Sequence, residues 1–96
     1  MGQMVKLAPK IILHSPVSDE ALLNGFVEQC LRDNVQLVAI MGPGCSRLED
    51  IITEIVDGHP KGFLVTSSYP DKRFEDVLKL AEKEMEPADP VQEMRL

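Results

Sequence analysis

The seven residues from Val35 to Met41 (VQLVAIM) constrain the fold more than any other stretch, because they are apolar at nearly every position. A strand of that kind needs cover on both faces, which is the situation inside a parallel sheet flanked by helices. Gly42-Pro43-Gly44 follows and extends no regular element, since glycine admits positive φ and proline has no amide proton. Ser46 and Glu49 then have the spacing of a capping box. Leu48, Ile51, Ile52, Ile55 and Val56 recur at intervals of three and four, giving one aliphatic helix face. Gly58 and Pro60 end that helix. The centre of the chain therefore reads as strand, tight turn, helix.

The same pattern recurs on either side. Lys10 to His14 (KIILH) is a short apolar strand closed by Ser15-Pro16. Ser18 is placed to cap a helix with Asp19 and Glu20 in its first turn, where the macrodipole favours acids, and Val17 and Leu22 are spaced as a hydrophobic staple. Its apolar stripe is Leu22, Leu23, Phe26, Val27, Cys30 and Leu31, and Asn34 suits its end. Lys61 to Ser67 (KGFLVTS) reads as a third strand with Phe63, Leu64 and Val65 in the core. Asp71 is placed to cap a third helix carrying Phe74, Val77, Leu78, Ala81 and Met85 on one face. Residues 1–9 form an N-terminal arm and residues 10–85 one α/β domain. Residues 86–96, with Pro87 and Pro90, are expected to be a mobile tail, a reading favoured over the alternative in which Val91, Met94 and Leu96 dock it.

The order β-α-β-α-β-α with short connections calls for a three-stranded parallel sheet with right-handed crossovers. Strand order 2-1-3 is favoured over 1-2-3, because it places the first two helices on opposite faces and buries every apolar run without a partner. In order 1-2-3 those helices share a face, and the other is left for the third helix or a second chain.

A parallel sheet brings the carboxyl ends of its strands to one edge, about 4.8 Å apart, and ligands of open α/β sheets bind there. That edge is expected to collect His14 and Ser15, the Gly42 to Arg47 turn, and Thr66 to Tyr69. Two chemistries follow. An anion site would use Gly44, Cys45 and Ser46 at the helix start, the charge of Arg47, and the hydroxyls of Ser67 and Ser68. A nucleophilic site would pair Cys45, its thiolate favoured by the helix start, with His14 as base, although no acid is placed to orient the histidine. Cys30 lies on an apolar stripe and reads as core, and His59 falls at the opposite edge.

The formal charge of −6 and an aromatic content of 4% argue against nucleic-acid binding, which requires clustered Lys and Arg. Two cysteines suit a reducing, cytoplasmic setting better than a disulfide framework, and no Cys/His spacing matches a metal site. No apolar run approaches the length of a membrane span.

The pattern from Lys10 to Met85 resembles the three-layer, doubly wound architecture of flavodoxin-like and Rossmann-like domains. The defining residues of the enzymes built on it are missing. The first turn, Ser15 to Ser18, has no glycines for a dinucleotide. After the second strand, Gly42 and Gly44 are followed by Arg47 where a third glycine belongs. No Gly-Lys-Ser/Thr ends a phosphate loop. Ile51 stands where a cysteine phosphatase needs arginine, Leu48 where a thioredoxin-like motif needs its second cysteine, and His14-Ser15 where receiver domains hold magnesium-binding acids. No cofactor is expected. The reading is a non-catalytic binding or protein-interaction module, with a homodimer as the simplest way to cover an open strand edge. The alternative is a small enzyme or anion-binding protein working at the carboxyl edge.

Overall fold

A computed structural model describes residues 6–60, 62–84 and 87–96. The element order is β1 (Lys10–His14), α1 (Leu22–Arg32), β2 (Leu37–Met41), α2 (Cys45–Asp57), β3 (Val65–Tyr69), α3 (Phe74–Lys83) and β4 (Val91–Arg95). All four strands are parallel, in the order β3-β2-β1-β4.

The parallel α/β architecture is as the hydrophobic pattern requires, but the strand number and order correct the expectation. The sheet has four strands, not three, and the first three lie in sequence. The chain then returns over the sheet and sets β4 beside β1, which is the order of the first four strands of a Rossmann-type sheet rather than the flavodoxin-like 2-1-3. The physical reason is that α1 and α2 can share one face once α3 is free to cover the other. Ile11, Leu13, Val38 and Ile40 meet Leu23, Phe26, Val27, Cys30, Leu48 and Ile52 on the α1/α2 side. Ile12, Leu37, Ala39 and Met41 meet Val77 and Ala81 on the α3 side.

The expected tail supplies β4. Met94 and Leu96 pack on the α1/α2 side and Val91 on the α3 side, so the alternation of a short strand outweighs the flanking prolines. The arm is also held: Leu7 is buried, its amide donates to Asp33 Oδ2 at 2.9 Å, and the Ala8 amide donates to Gln92 Oε1 at 3.0 Å. Met1 to Val5, Lys61, Met85 and Glu86 lie outside the described residues. The third strand begins later than expected, at Val65, and Phe63 is 70% exposed instead of joining the core.

The helix starts differ too. Among the described residues none of the three helices has a side-chain cap; their N-caps are Ala21, Gly44 and Arg73, not Ser18, Ser46 or Asp71. Asp19 accepts from the Ala21 amide in a turn before α1. Glu49, the expected second half of a capping box, reaches across to β3 instead. Lys10, fully buried, donates from Nζ to the carbonyls of Ala81 at 2.9 Å and Glu82 at 3.1 Å, occupying acceptors that the last turn of α3 leaves open.

Candidate functional site

The carboxyl edge is assembled by register. His14 stands beside Met41 and Arg95, and Met41 beside Tyr69, so the four strand exits form one row. Side chains alternate across a strand, and this divides the expected site residues between two faces. His14 shares the α3 face with Ile12: its ring stacks on Phe74 at 5.8 Å between centroids and 19° between planes, and Nε2 donates to Glu93. Cys45 is buried in the α1/α2 core. The sheet lies between the thiol and the imidazole, so the structure does not bring that pair together.

The anion set is divided for the same reason and for a second one, that its polar groups already have partners. Arg47 donates to Glu20 through Nε at 2.7 Å and through its terminal nitrogen at 2.9 Å, a bidentate pair on the surface. That hydrogen bond holds the Glu20 carboxyl below its ordinary range and raises Arg47 in turn. Ser68 donates to Glu49 Oε1 at 2.8 Å and Thr66 donates to Oε2 at 3.2 Å. Ser67, between them, points to the opposite, α3 side, beside Ala39 in the register. The Cys45 amide donates back to Gly42 O at 3.3 Å. Gly44 and Ser46 remain at the helix start without Arg47, Ser67 or Ser68 turned toward them.

The turn after β2 is shaped by its neighbour. Gly42 has φ +99°, and a Cβ there would stand 2.4 Å from Ser15 O, so the backbones of two strand exits touch at a position only glycine fills. Ser15 reinforces the contact, its amide donating to Met41 O at 2.8 Å and its hydroxyl to Pro43 O. The Ser15–Pro16 peptide is cis.

With order 3-2-1-4 the topological switch point lies between β1 and β4, where the crevice of a doubly wound sheet binds its ligand. Here that place is occupied by protein. The Ser18 amide donates to Leu96 O at 3.0 Å, tying the β1–α1 loop to the exit of β4, and His14, Phe74 and Glu93 fill the α3 side. Glu93, which Arg95 also contacts at 3.5 Å, lies in the segment expected to be mobile. The signal that locates it is the alternation of Val91 with Glu93 between Pro90 and the last residue.

Depressions also lie at the other end of the strands. Two of about 430 and 400 Å³ adjoin at Leu31, one lined with Arg32, His59, Pro60 and Gly62, the other with Asn34, Val35, Gln36 and Phe63. Among the described residues no group of three or more His, Cys, Asp or Glu is placed to hold a metal ion, and no helix is long and apolar enough to cross a membrane.

Sheet order, parallel strands and helices on both faces define a three-layer α/β domain. No protein-family model, curated protein or solved structure matches this chain.

Proposed function

We infer that this chain is a non-catalytic protein-interaction module whose working surface is the β3 side of the sheet. The observation that carries this reading is the uneven cover on the second face. Helix α3 lies over β2, β1 and β4, which leaves β3 at the margin with Val65, Ser67 and Tyr69 half-buried and Phe63 exposed at its entrance. An open strand with aromatic residues at both ends is a surface that strand addition or side-chain docking uses. The competing enzyme and anion readings need His14, Cys45, Arg47 and Ser67 to converge, and those side chains are separated by the sheet or engaged elsewhere.

The test is site-specific photocrosslinking in the cell that makes the protein, with the photoreactive residue at Phe63 and, as control, at exposed Glu28 on α1. A discrete protein adduct from position 63 and none from position 28 is expected. Equal, diffuse labelling from both positions overturns the reading.

A further inference from the structure

We propose that the occupant of the β3 edge is a second copy of this chain, paired antiparallel with β3 about a twofold axis through Ser67, so that two four-stranded sheets become one of eight. This rests on the interaction reading above and names its partner. The Val65 amide donates to Gln36 O at 3.0 Å, and the register sets Val65, Ser67 and Tyr69 beside Leu37, Ala39 and Met41. In a parallel ladder the backbone groups of those three residues therefore turn toward β2, and those of Thr66 and Ser68 turn outward.

Outward groups of this spacing complement themselves. With the axis at Ser67, Thr66 of each chain lies opposite Ser68 of the other, and each such pair exchanges both N–H···O bonds. This register engages all five strand residues, and Pro70, with no amide proton, ends it. On the α3 side it sets Val65 opposite the partner's Tyr69, a β-branched and aromatic pair of the kind that stabilises antiparallel strands.

Charge selects the edge. Each copy carries −6, so two copies meet most easily along a strand without charge, and VTSSY has none. The opposite edge, β4 (VQEMR), carries Glu93 and Arg95, the charged side chains by which edge strands resist pairing. The Glu49 carboxylates that hold Thr66 and Ser68 stand on the α2 side of the joined strands as like charges, so added salt tightens the association.

Light scattering on the whole chain over a range of concentrations tests this, together with Ser67→Lys, Ser67→Cys and Thr66→Cys. The wild type is expected at the mass of two chains. Ser67→Lys, which sets two ammonium groups opposite each other on the half-exposed face, is expected at the mass of one with an unchanged circular dichroism spectrum. Ser67→Cys is expected to form an intermolecular disulfide under mild oxidation, because a non-hydrogen-bonded antiparallel pair brings the two Cβ atoms close. Thr66→Cys, opposite Ser68, is expected to remain reduced. A wild-type mass of one chain at the highest concentration overturns the proposal, as does a two-chain mass that Ser67→Lys leaves intact or a disulfide at position 66 and not 67. If the chain is single and Phe63 still crosslinks to another protein, only the identity of the partner is wrong; if both fail, so does the interaction surface.

Discussion

At the scale of single residues, both thiols are withdrawn from solvent into the α1/α2 core. Burial pushes the Cys30 thiol up to about 12, with the Asp33 carboxylate adding to the effect, and Cys45 is 1% exposed at the first turn of α2. A thiol reagent is therefore expected to label neither cysteine in the native protein at neutral pH and both in denaturant. The sign of the linkage follows from the raised value. The folded state keeps the Cys30 proton that the unfolded chain releases, so this contribution is complete below the unfolded pKa and is lost as pH rises toward the folded one. From about pH 8 to about pH 10 the wild type is expected to lose roughly 2 kcal/mol more than Cys30→Ala, read from urea midpoints. That Cys30 is core was legible from its place on an apolar stripe. The fate of Cys45 was not, because a turn residue and a core residue look alike until the packing of α2 is known.

At the scale of elements, the helices and strands follow the apolar spacing, but their ends follow tertiary contacts. Ser18, Ser46 and Asp71 had the right chemistry for caps, yet none serves as one. Glu49 shows the competition: the hydroxyls of Thr66 and Ser68 offer it two hydrogen bonds across α2 and β3, which a capping box does not match. Asn34 does take the left-handed conformation expected where α1 ends, with φ 62°. The glycines separate local from tertiary control in an experiment. Gly42→Ala drives a Cβ into Ser15 O at positive φ and is expected to cost more than about 2 kcal/mol. Gly25→Ala, in the exposed interior of α1 with nothing beyond its chain neighbours and its own helix backbone within 4 Å of the new Cβ, is expected to stabilise by about 1 kcal/mol. Denaturant midpoints of the two variants moving in the same direction would contradict this account of the turn and the helix.

At the scale of the whole molecule, β4 determines whether the sheet is complete. It pairs with β1 along all five residues, and its side chains enter the cores on both faces. Deleting residues 87–96 leaves Ile11, Ile12 and Leu13 on a strand with one open side and removes the partners of His14 and Ser18. The truncated chain is expected to lose cooperative unfolding and amide-shift dispersion; a sharp transition near that of the intact protein would show β4 to be accessory. By itself the sequence determined the parallel α/β class, the positions of the three helices, the apolar faces they bury and the gathering of strand exits at one edge, because these depend on periodicity within a segment. Only the tertiary structure decided that the last residues are a strand, that α1 and α2 share a face, and that His14 and Cys45 stand on opposite sides of the sheet. Those outcomes depend on which strand neighbours which, and local hydrophobic patterns are nearly the same for every order in which the strands could be laid side by side.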